Sequence, residues 1–180
     1  MTPEGWLVVV DLQRVFGDPG SPWAAPRFAE VRPRIRQLAA AFGERVVHTR
    51  FVAPAQPAGA WQAYYEQFAF ALQPPDAALY ELVDDPAGRP VVSATTFGKW
   101  GPDLADVVGG GPLTVTGVAT DCCVISTVLP AADAGVPVRV VRDACAGSTD
   151  DDHQRALDLM ALYAPLVELT TTAEVLAGAR

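Results

Sequence analysis

Short apolar runs and longer amphipathic stretches alternate along the chain. The first run, Trp6–Val10, is almost wholly apolar and ends at the charged Asp11, which is typical of a strand buried on both faces of a parallel sheet. The stretch from residue 28 to 42 repeats apolar residues at helical spacing and predicts an amphipathic helix. Because strand and helix keep alternating to the end of the chain, the pattern indicates repeated strand–helix units and a parallel sheet.

The pattern predicts six strands and at least five helices. Strands are expected near residues 6–10, 45–50, 90–93, 113–116, 138–141 and 166–169, and helices near 28–42, 102–108, 121–134, 151–163 and from 172 onward. A long segment rich in alanine, proline and aromatic residues, from Phe51 to about Pro75, could hold a further helix at 60–72 and wall a pocket. The predicted fold class is α/β: a three-layer α/β/α domain over residues 1–180, with a six-stranded, mostly parallel sheet and helices on both faces.

Composition narrows the class of protein. Hydrophobic residues make up 50% of the chain and charged residues 19%, as in globular domains and unlike disordered chains. No apolar run approaches the roughly 20 residues that span a bilayer, and the 13 basic residues are scattered through a chain of net charge −8, whereas nucleic acid binding needs a basic stripe. We expect no nucleic acid and no membrane partner, and a cytoplasmic location, since no signal peptide is recognisable.

Candidate chemistry lies at the predicted strand ends, where open parallel sheets form their sites. Cys123 stands in the first turn of a predicted helix, where the helix dipole and free backbone N–H groups lower the pKa of a thiol and make it nucleophilic. Asp11, at the end of the first strand, is the candidate general base. Each residue also has an ordinary interpretation, since free cysteines are mostly inert core residues and an aspartate can cap a turn.

Two motifs resemble those of the isochorismatase-like cysteine hydrolase superfamily. Segment 11–16, Asp-Leu-Gln-Arg-Val-Phe, is similar to the family's D-x-Q-x-x-F, and segment 117–124, Gly-Val-Ala-Thr-Asp-Cys-Cys-Val, to its G-x-x-T-D-x-C-V. Segment 143–147 with His153 also fits, so the similarity spans nearly the whole chain. The resemblance implies hydrolysis of a C–N bond in a small amide or ureido substrate, through a thioester on Cys123, with no cofactor. It also implies a homo-oligomer, either a dimer or a tetramer.

The resemblance assigns further roles around the nucleophile. It implies a cis peptide before Ala119 and an oxyanion hole made by the backbone N–H groups of Ala119 and Cys123, with Cys122 facing elsewhere. The candidate substrate-binding residues combine those of the first motif and of the strand ends with aromatic side chains expected to line the pocket. They are Gln13, Phe16, Arg50 and Trp100, with Trp61 and Phe97 as further lining candidates. Arg50 could hold a carboxylate or ureido oxygen in a bidentate manner.

The chain departs from the family pattern at the lysine of the Asp–Lys–Cys triad. The family lysine directly follows the third strand, where this chain has Ala94. Either Lys99, five residues further on, swings its ammonium into the site, or the lysine is lost and the thiolate and the Asp11 carboxylate lack a cation. We favour the loss at the sequence level, because a strand end fixes the direction of a side chain tightly. That interpretation leaves a non-catalytic, ligand-binding protein as an alternative function.

A second departure concerns metal binding. Nicotinamidases of this superfamily add a D-x-H…H metal site after the second strand, but here that stretch reads His48-Thr49-Arg50-Phe51, and the next histidine is His153. Two histidines so far apart make a poor metal set, so we expect no metal and favour the metal-free branch, similar to N-carbamoylsarcosine amidase-like proteins. A thiol redox protein built on Cys122 and Cys123 is the remaining alternative. The odd count of three cysteines predicts free thiols.

Overall fold

Six parallel strands form the sheet of the computed structural model, which describes residues 2–178. The strands are β1 (Trp6–Val10), β2 (Val46–Phe51), β3 (Val91–Ala94), β4 (Leu113–Val118), β5 (Val138–Ala146) and β6 (Val167–Thr170). They lie in the order β3-β2-β1-β4-β5-β6, and each pairing between neighbours in this described part of the chain is parallel. The sheet is therefore fully rather than mostly parallel.

Helices cover both faces of the sheet. They are α1 (Arg14–Gly17), α2 (Phe28–Phe42), α3 (Ala60–Gln67), α4 (Pro102–Val108), α5 (Ile125–Asp133), α6 (Asp150–Ala161) and α7 (Thr172–Gly178). Successive residues of β1 point to opposite faces: Leu7 and Val9 pack with α2 and α7, whereas Val8 and Val10 pack with α4, α5 and α6. The predicted three-layer α/β/α fold is confirmed. Within residues 2–178 no helix is both long and apolar enough to cross a membrane.

Several element boundaries differ from the sequence prediction for physical reasons. β5 continues to Ala146 instead of ending near Val141, because its pairing with β4 resumes beyond an irregularity, at Gly117–Cys145 and Val118–Ala146. The helix proposed for 60–72 ends at Gln67 and is followed by a 3₁₀ turn, Ala69–Ala71. The end of β5 is thus set by a strand partner that local periodicity does not reveal.

The order of strands places a crevice in the middle of the sheet. The chain builds outward from β1 to β3 on one side and from β4 to β6 on the other, so β1 and β4 are neighbours at the point where the direction of winding reverses. Ligand sites of open parallel sheets form at the carboxyl ends of strands at such a reversal. Asp11 directly follows β1, and Cys123 follows β4 by five residues.

Candidate active site

Asp11 occupies a backbone conformation that holds its carboxylate in a defined place. Its φ angle of 47° lies in the left-handed region, which residues other than glycine seldom adopt. The hydroxyl of Thr49, in β2, accepts the backbone N–H of Asp11 at 3.1 Å and donates to Asp11 Oδ1 at 2.6 Å. Because Asp11 is fully buried, this exchange of hydrogen bonds fixes one carboxylate oxygen and leaves the other for a second partner.

That second partner is Lys99. Its Nζ lies 2.9 Å from Asp11 Oδ2, and both side chains are fully buried. Nζ also donates to the carbonyl oxygens of Thr96 and Phe97, each at 2.7 Å, and lies 5.7 Å from the centre of the Phe51 ring. Two of the three N–H donors of the ammonium are held by these backbone carbonyls, and the charge faces the Asp11 carboxylate. Lys99 therefore contributes a fixed positive charge beside Asp11.

The interpretation of Ala94 as the place of a lost lysine is wrong. Ala94 is the last residue of β3, and the chain then turns so that Lys99 comes back over the carboxyl end of the sheet. The hydroxyl of Thr96 donates to the carbonyl oxygen of Gly98 at 2.8 Å and stabilises this turn. Lys99 stands five residues beyond Ala94, but the turn brings its side chain back to Asp11. Periodicity cannot predict this path of the chain.

Cys123 lies in a π-helical turn, Thr120–Val124, at the entry to α5. It is 3% exposed, and burial raises the pKa of its thiol well above the ordinary value; the charge of Asp11 adds to this increase, and the charge of Lys99 opposes it. The prediction of a lowered pKa at a helix start is therefore wrong, because desolvation outweighs the helix dipole. Cys123 thus has a thiol with a raised pKa beside a buried ion pair.

The backbone before the nucleophile agrees with what the resemblance implies. The Val118–Ala119 peptide is cis, and Ala119 and Cys123 both line the pocket above the thiol. Their N–H groups as the oxyanion hole remain a prediction.

Aromatic side chains dominate this pocket, which has a volume of about 360 Å³. The residues that line it are Phe16, Pro22, Trp23, Ala24, Phe51, Tyr64, Phe68, Phe97, Ala119, Cys122, Cys123 and Ser148. Trp23 is central to the wall: its ring stacks on Phe16 at 6.1 Å between centroids and meets Phe51 at 5.7 Å and Phe68 at 5.6 Å. None of these described lining residues carries a formal charge at neutral pH.

Gln13, predicted to bind substrate, has a structural role instead. It is fully buried, its amide nitrogen donates to the carbonyl oxygens of Phe51 and Tyr80 at 2.8 Å each, and its amide oxygen accepts the N–H of Phe51 at 2.8 Å. These bonds tie the start of α1 to the end of β2 and to a 3₁₀ turn, Ala78–Tyr80. The prediction is wrong because the amide is already satisfied by backbone groups.

Two other substrate-binding predictions are also wrong. Arg50 points to the opposite face of β2 from Thr49, donates from Nε to the Ser93 hydroxyl at 3.3 Å, and borders a separate surface groove. Trp100 packs against the core that contains α4 and α5 and does not line the pocket. Phe16 does line it, as predicted.

The aromatic wall was predicted only in part. The segment after Phe51 was expected to wall a pocket, and Tyr64 and Phe68 do so, as does Phe97. Trp61 contacts Phe97, with ring centroids 5.1 Å apart, but lies behind the lining. Trp23 was missed because it stands in a loop of proline, alanine and serine without periodicity; its only signal is an isolated tryptophan close after the first motif.

Cys122 does not face away from the site. It lines the same pocket as Cys123, and its Sγ lies 3.7 Å from Asp121 Oδ2. Burial and the neighbouring charge of Asp121 raise the pKa of the Cys122 thiol to about 11. All three cysteines of the chain, with Cys145 the third, are free thiols as predicted.

The two histidines lie in different parts of the fold. His48 is buried in β2, and burial lowers its pKa. His153 Nδ1 lies 2.8 Å from the hydroxyl of Thr120, in the turn that carries Cys123. Between residues 2 and 178 no group of three or more His, Cys, Asp and Glu side chains is placed to hold a metal ion.

The fold and the site together define an α/β protein with a buried Cys–Asp–Lys triad at the reversal point of a parallel sheet. The model of the isochorismatase domain matches residues 5–174. The chain therefore belongs to the isochorismatase family, whose members are hydrolases.

Several solved structures share the fold of this chain. A pyrazinamidase from Pyrococcus horikoshii, in complex with zinc, is 27% identical with a TM-score of 0.77, over 94% of this chain and 99% of that one. A cysteine hydrolase from Pseudomonas syringae pv. phaseolicola 1448A is 22% identical with a TM-score of 0.82, over 97% and 93%. An isochorismatase family protein from Desulfovibrio vulgaris is 24% identical with a TM-score of 0.77, over 95% and 97%. No curated protein sequence matches the chain.

The zinc of the pyrazinamidase has no matching set of ligands here. A zinc site needs three or four nitrogen, sulfur or oxygen ligands around one point, and the described residues offer no such group. The residues that the structure describes therefore do not fit a metal.

Proposed function

We propose that the chain hydrolyses the C–N bond of a small, uncharged amide or ureido compound through a thioester on Cys123. The observation that carries the proposal is the meeting of the Cys123 thiol with the buried Asp11–Lys99 pair at the base of a pocket. Similarity to a pyrazinamidase, an enzyme named for an amide substrate, supports the same reaction class.

The reaction begins with a proton transfer. As the Cys123 sulfur attacks the carbonyl carbon, Asp11 takes the thiol proton, which is the role of a general base. The carbonyl oxygen gains negative charge and accepts hydrogen bonds from the N–H groups of Ala119 and Cys123, each donor contributing about 3 kcal/mol to the transition state. Asp11 returns the proton to the nitrogen, the C–N bond breaks, and ammonia or an amine leaves the acyl thioester behind.

Hydrolysis of the thioester regenerates the enzyme. Asp11 removes a proton from water, the resulting hydroxide attacks the acyl carbon, and the sulfur leaves and recovers a proton from Asp11. In this cycle the protons move through Asp11, while the carbonyl oxygens of Thr96 and Phe97 hold the ammonium of Lys99 in place. Its positive charge keeps the Asp11 carboxylate in place and offsets negative charge near the thiol.

The pocket wall indicates which substrates fit. Aromatic rings line it, and the described lining residues provide no positive charge to pair with a carboxylate. A volume of about 360 Å³ is near the lower end for small-molecule sites. These features favour an uncharged compound whose acyl group carries a flat apolar part, and they disfavour carboxylate-bearing substrates, for which Arg50 lies on the wrong face of β2.

The test is ammonia release from a matched panel: benzamide, phenylurea, and benzamide carrying a carboxylate opposite the amide. We expect turnover of at least one uncharged compound and a rate at least about tenfold lower for the carboxylated one, since an unpaired buried charge costs several kcal/mol. Cys123→Ala is the control. If the unaltered protein releases no more ammonia than this variant, amide hydrolysis is wrong; equal rates for both benzamides would overturn only the charge selection.

The alternative of a non-catalytic binding protein rested on a missing lysine. The position of Lys99 beside Asp11 supports the hydrolase over that alternative.

A further inference from the structure

One buried hydroxyl connects the two segments that carry the reacting groups. The Oγ1 of Thr127, in α5, accepts the backbone N–H of Lys99 at 2.9 Å and donates to the carbonyl oxygen of Cys123 at 2.7 Å. Thr127 is fully buried and does not line the pocket. A single side chain therefore bridges the turn after β3 and the turn after β4.

The bridge is important because the lysine of this chain does not stand at a strand end. β3 ends at Ala94, and the strand pairing with β2 ends there too, so sheet hydrogen bonds do not fix the position of Lys99. The turn instead lies directly on α5: a Cβ added to Gly98 would stand 2.4 Å from the carbonyl oxygen of Ser126, which only glycine avoids. Contact with α5 replaces the strand as the support for the lysine.

We propose that Thr127 is a positioning residue for the hydrolysis assigned to this site, holding Lys99 and Cys123 at the separation that the reaction needs. This inference rests on the proposed function. Thr127 acts through its neighbours and touches no substrate. Displacements of about 1 Å at an active site lower rates on the order of 100-fold, so loss of the bridge should lower kcat. KM should change little, because the rings of the aromatic wall other than Phe97 stand outside the turn that Thr127 holds.

The decisive variants are Thr127→Val, which keeps the shape but loses both hydrogen bonds, and Thr127→Ser, which keeps the hydroxyl. We expect Thr127→Val to lower kcat by about 10- to 100-fold with KM within about twofold, and Thr127→Ser to recover most of the rate. Thr114→Val is the matched control, since Thr114 is a buried threonine near the opposite end of β4. Should Thr127→Val fail to fold, Thr127→Ala removes the same hydroxyl with no added bulk.

A second measurement separates failure of this inference from failure of the proposed function. The charge of Lys99 favours the thiolate of Cys123, so displacement of Lys99 should move the pH profile of Cys123 alkylation by iodoacetamide to higher pH. Thr127→Val and Lys99→Met should shift the profile in the same direction, and the double variant should shift it no further than Lys99→Met alone. A folded Thr127→Val protein with an unchanged profile would overturn the positioning role even if no amide is hydrolysed.

Discussion

The buried triad and the aromatic wall of the pocket are built from largely different parts of the fold. The buried triad of Asp11, Lys99 and Cys123 lies on the turns that follow β1, β3 and β4. The aromatic wall, Phe16, Trp23, Phe51, Tyr64, Phe68 and Phe97, comes mainly from connecting segments. Connecting segments vary more freely than sheets. The contrast suggests that reaction type depends on the sheet, whereas substrate choice depends on the connections.

The two regions also differ in their energetics. Burying the Asp11–Lys99 pair removes two charges from water, and the attraction between them at best balances this cost of desolvation. The wall, in contrast, gains stability from every ring that it buries, with favourable aromatic pair geometry in addition. Substitutions in the triad should therefore affect kcat and stability together, and substitutions in the wall should mainly affect KM.

The largest effect is expected from Lys99→Met. It leaves the Asp11 carboxylate buried without its cation, which should lower stability by about 3–5 kcal/mol and kcat on the order of 100-fold or more. Denaturant unfolding and steady-state kinetics measure the two effects. Combining Lys99→Met with Asp11→Asn should restore much of the stability but no activity. Ala94→Lys should give no gain, because the site already holds a lysine; a clear gain would contradict our placement.

A smaller effect, on KM instead of kcat, is expected from a substitution in the aromatic wall. Trp23→Leu removes the ring that contacts most of its neighbours and should raise KM about tenfold, with kcat changed by less than about threefold. Trp100→Leu is the control, since Trp100 lies outside the lining. If Trp23→Leu lowered kcat at constant KM, the assignment of reaction rate to the triad and substrate binding to the wall would be wrong.

A modest dependence of stability on pH should arise outside both regions. Burial lowers the pKa of His48, so the folded state favours the neutral ring. The stability that this contributes is complete above the unfolded pKa of about 6.5 and is lost as pH falls toward the folded value. Between pH 7 and 5 the Tm of the unaltered protein should fall about 2–4 °C more than that of His48→Leu. Parallel thermal curves would exclude His48 as the source.

The smallest effect is expected from Cys122→Ser. Cys122 lines the pocket, but its thiol pKa of about 11 leaves it protonated at neutral pH, and the proposed reaction does not use it. Activity should stay within about threefold of the unaltered protein, in contrast to Cys123→Ala. A reversible loss of activity on mild oxidation that Cys122→Ser abolishes would instead favour the thiol redox alternative.

The local sequence pattern was sufficient to predict many of the strands and helices. The strand Trp6–Val10 and the helices Phe28–Phe42 and Pro102–Val108 were predicted at their observed bounds, because buried strands and amphipathic helices have strong local periodicities. The two motifs were sufficient to select Asp11 and Cys123, since each lies within a few residues of the strand that positions it.

The same local arguments failed where direction depends on partners. Gln13 and Arg50 have residue types suited to binding substrate, yet backbone groups satisfy the first and strand alternation turns the second away. The pKa of Cys123 was predicted in the wrong direction, because the helix dipole is visible in the sequence but the degree of burial is not.

Sequence pattern therefore established the α/β fold and, through the two motifs, selected Asp11 and Cys123 as the candidate base and nucleophile, since both signals lie on single elements. Tertiary structure decided that Lys99 supplies the positive charge, which of the aromatic rings form the wall, and that burial raises the pKa of the Cys123 thiol. The physical reason is that each of these depends on groups far apart in the chain: a turn resting on α5, rings gathered from separate segments, and a carboxylate and an ammonium that share one buried space.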